Sequence, residues 1–588
     1  MEIDSTHHID ILNTSNAFEV TTNLIESYGS IAVYELHFFS DTVFEPEQTT
    51  FKWRLPAINV KGVWKPTSDF SKRIMDDWEL DHLEARISVD SPVVAVFGHN
   101  DENCVTFACS DAINTTELNA LYREEDDCIH CHISFFKEKH HQIKNYKVQL
   151  IIDTTTYHFS NALDKISQWW SSFKQLSPVM ERNDIATLPV YSTWYQFHQD
   201  LDIERLLAES KKAVKLGFGV LILDDGWQTN DSNRGYDYTG DWQPERIPKM
   251  RNFVDKVHQI GMKLALWYAV PFCGKKSRAF QKFKGMLLAE DHRWAPVFDP
   301  RYPEVRTHLI GIYVKALMEW DLDGFKLDFI DEFKVYTNTI LTKENGRDFA
   351  SVNLAVDRLM TDIVQALKTI KPNLIIEFRQ KYTGPAMRKY GNMFRAFDCP
   401  GDSVMNRVRI ADLRMLCGET AVHSDMFTYH IDALVAHKAL QVVNTLFGVP
   451  QLSVLLEKAT VDELAMISFY INYWTRNKEV LLQGKFTPLK PLANYPIIKS
   501  ETAVHSIVGI YDDYVLPIEK NSDRIDIING KLTEEIILNY NSIHGAYSCK
   551  VYDCMGNLTK QFTIQMNEVF KYINVPPCGL IICSKITT

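Results

Sequence analysis

Gly324-Phe325-Lys326-Leu327-Asp328-Phe329-Ile330 reads as a strand that is apolar on one face and charged on the other. Phe325, Leu327 and Phe329 alternate with Lys326 and Asp328 at the period of two that a strand imposes. A lysine and a carboxylate two residues apart on one face project side by side. Buried charge is costly unless it is paired or used. The stretch is therefore either a structural ion pair or a catalytic carboxylate held ionised by its neighbour at the end of a barrel strand. The surrounding chain decides between the two.

Around this stretch, apolar runs alternate with amphipathic ones. Leu188–Trp194, Gly219–Leu223, Lys263–Val270, Gly324–Ile330, Leu374–Phe378, Met393–Phe397, Thr420–Ser424 and Val449–Leu455 read as strands. Ile203–Lys215, Met250–Ile260, Val305–Trp320, Val352–Ile370, Val404–Leu416 and Ala433–Leu446 carry the helical period between them. This alternation predicts a (β/α)8 barrel. A doubly wound sheet is disfavoured, because no glycine-rich phosphate loop follows the first strand.

The flanks have a different texture. Ile31–Phe39, Val93–Phe97, Val105–Cys109, Cys128–Phe136 and Tyr146–Ile152 are short strands set between turn signals, the pattern of an antiparallel sandwich. Ser160–Gln175 reads as a connecting helix. After about residue 480 short strands return at Ile507–Pro517, Arg524–Ile528, Glu535–Tyr540, Tyr547–Asp553 and Val569–Ile573. The expected organisation is an N-terminal β-sandwich (1–175), a catalytic TIM barrel (176–480) and a small C-terminal β-sandwich (481–588).

The chain of 588 residues has a net charge of −12, which argues against nucleic acid or an anionic membrane as partner. No signal peptide and no membrane-spanning run stands out, so a cytoplasmic location is expected. The 11 cysteines form no paired CxxC…CxxC frame, and nothing requires disulfides. Cys128, His130 and His132 alternate on one strand face, but without an evident fourth ligand they read as a mixed strand surface, and no metal is expected.

Barrel enzymes carry their chemistry at the C-terminal ends of the strands. Those ends hold Leu223-Asp224-Asp225-Gly226-Trp227, Lys326-Leu327-Asp328, Glu377-Phe378-Arg379-Gln380, the run from Arg395 through Asp398 to Asp402, and His423-Ser424-Asp425. Any one of these could be a helix cap or a loop carboxylate. Their convergence on one rim points to a site. No His pair, P-loop or nucleophilic Ser or Cys motif accompanies them. Two carboxyl groups on facing strands suit glycoside cleavage, one as nucleophile and one as acid/base. A Schiff-base aldolase using Lys326 is the rival, opposed by the carboxylate two residues away. That same neighbour is expected to keep Asp328 ionised. No cofactor is required.

The segments Leu223-Asp224-Asp225-Gly226-Trp227-Gln228, Gly240-Asp241-Trp242, Asp299-Pro300-Arg301-Tyr302-Pro303-Glu304-Val305-Arg306 and Phe325-Lys326-Leu327-Asp328 resemble, in order and spacing, the glycoside hydrolase family 36 α-galactosidases. The resemblance implies a retaining double displacement on a terminal α-D-galactosyl group. It places the nucleophile at Asp328. Asp224 and Asp225 fall on the pair that binds the sugar's far hydroxyls, Lys326 on a hydroxyl-binding lysine, and Arg395 on the arginine near the 2-hydroxyl. Trp227 and Trp242 become candidate substrate contacts.

The chain departs from that pattern in two places. The family's acid/base follows its arginine by four or five residues, where Cys399 and Pro400 stand here. Asp398 is taken as the acid/base, with Asp402, which a helix cap would explain, as the rival for that role and otherwise a candidate substrate contact. Strand five carries Glu377-Phe378-Arg379-Gln380 in place of a Cys-containing, glycine-rich segment, which leaves the substituent at C2 or C6 open. The expected substrate is a small oligosaccharide such as melibiose or raffinose. The alternatives are a related α-glycosidase (α-N-acetylgalactosaminidase), a galactosyl transferase of the raffinose-synthase type, or a non-catalytic carbohydrate-binding protein. A homo-oligomer is compatible with all of them.

Overall fold

The structure is a computed structural model and describes residues 8–13, 17–79, 82–177, 180–379, 382–540, 545–565 and 570–586. Gln380 and Val569, named above, lie outside the described residues, as do the ends of the chain.

Eight parallel strands form the central sheet. They are β1 (Val190–Ser192), β2 (Val220–Leu223), β3 (Lys263–Ala269), β4 (Gly324–Asp328), β5 (Ile375–Arg379), β6 (Met393–Arg395), β7 (Ala421–His423) and β8 (Gln451–Leu452). Their order is β7-β6-β5-β4-β3-β2-β1-β8. The ring closes just before β8, where Val449 N–H donates to Val422 O (2.8 Å) and Ser424 N–H donates to Val449 O (3.0 Å). Every residue of β4 is buried, as a strand enclosed on both faces requires. Gly324 opens β4 because a Cβ there would lie 2.1 Å from Ile375 O on β5.

The barrel helices are α1 (Ile203–Lys215), α2 (Met250–Ile260), α3 (Pro303–Trp320), α4 (Val352–Ile370), α5 (Ser403–Arg414), α6 (Val435–Val443) and α7 (Val461–Gln483). Asp202 and Ser351 cap α1 and α4 by accepting the N–H groups of Arg205 and Leu354. The sequence pattern did not announce α7. This helix is gripped on several sides: Tyr470 OH donates to Cys578 O, Tyr473 OH to Asp526 and Trp474 Nε1 to Gly448 O. A helix held between barrel and sheet does not show a single apolar stripe.

Strand β4 is shorter than its apolar run. Phe329 adopts a left-handed conformation (φ 62°) and Ile330–Glu332 form a 3-10 turn. Phe329 therefore leaves the face of Phe325 and Leu327 and packs against Tyr236 and Phe272 instead, with ring centroids 5.3 and 4.9 Å away.

A five-stranded and a six-stranded antiparallel sheet precede the barrel, and a mixed seven-stranded sheet with a three-stranded one follows it. All three regions meet on Asp412 of α5, which is buried. Its carboxylate accepts from Trp64 Nε1 (2.8 Å) and Lys72 Nζ (3.2 Å) of the N-terminal region and from Tyr495 OH (2.7 Å) of the C-terminal region. Among the described residues no helix is long and apolar enough to cross a membrane.

Candidate active site

The first half of the site comes from β2 and β4. Asp224 and Asp225 follow β2, and Gly226 follows them at φ 118°. A Cβ on Gly226 would lie 2.6 Å from Gln199 Cα, so glycine alone lets the chain turn beneath Gln199. The Gln199 amide then donates to Asp225 Oδ2 (2.7 Å) and the Gln228 amide to Asp225 Oδ1 (2.6 Å). Burial pushes the Asp225 carboxyl up to about 6 despite these donors. Asp224 accepts Lys326 Nζ at 2.6 Å, with both side chains 4% exposed. Burial pulls the Lys326 ammonium down, but Asp224 leads a set of carboxylates that raises it above its ordinary value. Lys326 is thus a charged partner and not a free amine, which removes the Schiff-base reading.

Lys326 does not serve Asp328 as the sequence suggested. The parallel register sets Lys326 against Trp267 and Glu377, and Asp328 against Ala269. Two steps beyond Glu377 on the same face comes Arg379, and its Nε lies 2.5 Å from Asp328 Oδ1. Trp267 Nε1–H donates to Asp328 Oδ2 (2.9 Å), and Phe329 N–H donates to Oδ1 (2.7 Å). The cation beside Asp328 is therefore a guanidinium from the neighbouring strand. Arg379 Nη2 also donates to Tyr382 OH (2.8 Å), whose hydroxyl donates to Asp331 (2.9 Å). Arg379 packs against the rings of Phe329 (4.9 Å) and Phe397 (5.4 Å).

The second half comes from β6 and β7. Arg395, 1% exposed, contacts three carboxylates: Asp398 through Nη2 (2.6 Å), Asp425 through Nη1 and Glu377 through Nε (3.6 Å). Burial would raise Asp398, but Arg395 first, then Arg379 and Lys326, hold it well below the usual carboxylate range. Asp425 is buried and shifts the other way, raised by burial and by the Asp398 charge against the pull of Arg395. It also accepts Tyr195 OH and Cys399 N–H, both at 2.7 Å.

The structure thus brings Asp224, Asp225, Lys326, Asp328, Arg395 and Asp398 to one barrel mouth. Asp402 is exposed, and its carboxylate caps α5 by accepting Met405 N–H (2.9 Å). Trp227 and Trp242 are buried and stacked on each other at 5.8 Å, with Tyr268 against both. Trp242 also lines a cavity bounded by Thr307, His308 and Gly311 of α3. They form the packing beneath the rim, whereas Trp267 reaches Asp328. His423 is buried and held near 4 by burial, with Nε2 against Ala186 O (2.8 Å), so it is neutral and structural. Sequence reading missed Gln199, Tyr195 and Tyr382, whose partners are distant in the chain. The alternation of Glu377 and Arg379 was visible, but their partners required the register.

On the sandwich, His130 lies 3.0 Å from both Asp126 oxygens, and Cys128 Sγ donates to Asp126 O. His132 instead sits with His82 and Glu117, with ligand atoms within 4.8 Å of one another. Lys137 occupies the other side of Glu117. At the barrel mouth, carboxylates are matched with Lys326, Arg379 and Arg395, an arrangement that calls for no metal.

Residues 153–380, the segment that carries β1 to β5, match the Melibiase family model. Over 220 residues the chain is 26% identical to Alpha-galactosidase Mel36A of Lactobacillus acidophilus, covering 35% of this chain and 28% of that protein. Over 200 residues it is 22% identical to Alpha-galactosidase 1 of Pediococcus pentosaceus, covering 32% and 26%. The chain therefore matches little more than a quarter of the length of these curated relatives. In three dimensions the barrel and its flanks superpose on a variant of GH36 alpha-galactosidase AgaA from Geobacillus stearothermophilus, solved in complex with raffinose. The TM-score is 0.65 at 12% identity, covering 97% of this chain and 81% of the other. The alpha-galactosidase from Lactobacillus brevis gives 0.58 at 13%, covering 99% and 86%. At these identities the superpositions show a shared fold.

Proposed function

We propose that the chain is a retaining exo-α-galactosidase acting on short galactosyl oligosaccharides in the cytoplasm. The observation that carries this reading is Asp328 at the end of β4. It is fixed by Trp267, the Phe329 N–H and Arg379, and faces a sugar-binding set made of Asp224, Asp225 and Lys326. The family match and the oligosaccharide bound in a structural relative support it.

Asp328 attacks the anomeric carbon, and the Trp267 and Phe329 N–H donors with the Arg379 ion pair fix the line of attack. Asp224 and Lys326 present an acceptor and a donor to the sugar's far hydroxyls. Asp398 protonates the leaving oxygen and then activates water. In the resting site Arg395 holds Asp398 ionised, so the acid form requires that guanidinium to be drawn away. Arg395 already touches Asp425, and a bound 2-hydroxyl completes that second set of contacts, freeing Asp398 to take up a proton. Asp402, as a helix cap, is not needed for this cycle.

The test is hydrolysis of p-nitrophenyl α-galactoside and of melibiose. Wild type is expected to turn over both, and Asp328→Ala neither, with a loss on the order of 10⁴-fold or more. Turnover of an α-N-acetylgalactosaminide alone would move the sugar assignment, and galactosyl transfer at high acceptor concentration would move the reaction type. Binding of α-galactosides without turnover would replace the enzyme by a lectin-like protein.

A further inference from the structure

We propose that the N-terminal sandwich carries a binding site for a divalent transition-metal ion of the zinc type, formed by His82, Glu117 and His132. All three residues belong to the sandwich, so the site is independent of the α-galactosidase reading.

The strand register builds the cluster. Thr116–Arg123 and Cys128–Phe135 are neighbouring antiparallel strands of the five-stranded sheet, and His132 stands opposite Asn119. Leu83–Ala85 pairs with the other side of Thr116–Arg123, with Leu83 opposite Leu118. His82 immediately precedes Leu83, and its Nδ1 comes within 3.3 Å of the Asn119 amide. The two imidazoles therefore flank Asn119, with ring centroids 5.8 Å apart. Glu117 lies two residues before Asn119 on the same strand, so its side chain leaves from the same face. Its Oε1 is 3.8 Å from His82 Nδ1. One ligand atom from each of the three residues lies within 4.8 Å of the other two. Ligands held about 2.0–2.2 Å from a tetrahedral ion stand roughly 3.4 Å apart, so side-chain adjustments of about 1 Å close the site.

The surroundings select the ion. Lys137 pairs with Glu117 Oε2 and leaves Oε1 on the side of His82. A partner of this kind holds a ligating carboxylate in place. Lys137 also offsets the Glu117 charge, and Lys52, opposite His132 on the next strand, adds a positive one. Ca²⁺ and Mg²⁺ depend on several oxygen ligands and gain little from such a set. Two imidazoles and one carboxylate match Zn²⁺, with water in the fourth position. Both histidines are half-buried, so solvent reaches the cluster, while Glu117 is buried beneath them. The Asn119 contact to His82 is at the long end of hydrogen bonding, and an ion displaces it at little cost. His130 takes no part, because its Nε2 is held by Asp126. An ion at this place ties the segment before Leu83 to two inner strands. That segment runs on to Arg86, whose Nη2 donates to Asp331 O (3.3 Å) at the barrel mouth. Bound metal is therefore expected to raise the thermal midpoint of the chain.

The experiment titrates Zn²⁺ into the untagged, chelator-treated full chain by calorimetry, and follows Co²⁺ as a substitute ion by its visible absorbance. Wild type is expected to take up one equivalent of Zn²⁺, to give the intense visible bands of four-coordinate Co²⁺, and to take up neither Ca²⁺ nor Mg²⁺. His82→Ala and His132→Ala should each lose the Co²⁺ bands and at least about tenfold in Zn²⁺ affinity, whereas His130→Ala should keep both. His82→Ala alters a half-buried side chain outside the strands, and tests the site even where His132→Ala does not fold. No uptake by wild type, uptake unchanged in His82→Ala, or preference for Ca²⁺ or Mg²⁺ over Zn²⁺ overturns the proposal. Loss of uptake in His130→Ala with retention in His132→Ala does so too.

Discussion

The two sides of the barrel mouth close their charges differently. On β2 and β4 the matching is one to one: Lys326 with Asp224, and Asp225 between two amides. On β5 to β7 the guanidiniums are shared. Arg395 serves Asp398, Asp425 and Glu377, while Arg379 serves Asp328 and lies 3.6 Å from Asp331. A closed pair fixes geometry, which suits groups that only hold a sugar. A shared guanidinium can shift its weight between carboxylates at small cost, which suits a group that must gain and lose a proton in each turnover. On the proposed reading, the site is stiff where it holds the sugar and adjustable where it transfers protons.

Removing the proton carrier should break the adjustable side first. Asp398→Ala is expected to lower kcat/KM on raffinose by 10² to 10⁴-fold. Glycosylation by the aryl substrate should survive, with stalled turnover restored by azide and α-galactosyl azide as product. Restoration in Asp402→Ala instead would transfer the role to that residue. On the stiff side, Lys326→Met leaves the Asp224 carboxylate buried and unpaired. Breaking such a pair costs about 3–5 kcal/mol, visible in the denaturant midpoint, and a neutral result would mean the pair is not closed as described.

Asp225 supplies a pH test. Its folded value is about 6, above the ordinary Asp value of 3.8. A carboxyl raised in the folded state stabilises the protein fully below its unfolded value, and that stabilisation is lost as pH rises through the folded one. The stability difference between wild type and Asp225→Asn should therefore change between pH 4 and 6 and be flat above about 7. The KM of the wild type should fall severalfold over the same rise as the carboxylate becomes a stronger acceptor, and the variant should lack this step. The smallest effect belongs to Asp402→Ala, about 1 kcal/mol of stability for a lost helix cap, with kcat/KM within twofold of wild type.

The stiff side was legible in the sequence and the adjustable side was not. Asp224, Asp225, Lys326 and Asp328 sit in short motifs whose meaning depends on local order, and the strand period alone orients them. The eight strands and six of the barrel helices were legible for the same reason, since buried parallel strands and amphipathic helices write their periods into the chain. The partner of Asp328 was assigned wrongly because pairing across parallel strands depends on a register that no local pattern encodes. With Lys326 opposite Glu377, Arg379 falls in line with Asp328, two residues further on. Trp227 and Trp242 looked like sugar platforms because aromatic side chains serve both as platforms and as core, and only burial separates the two uses.

Covalent trapping shows whether Asp328 is the nucleophile. Wild-type protein incubated with a slow 2-deoxy-2-fluoro-α-galactosyl fluoride analogue would be followed by intact mass and then by peptide mapping. One 2-deoxy-2-fluorogalactosyl adduct per chain is expected, carried by the peptide that contains Asp328 and absent from Asp328→Ala. An adduct on a different carboxylate, or turnover with inversion and no adduct, would contradict it.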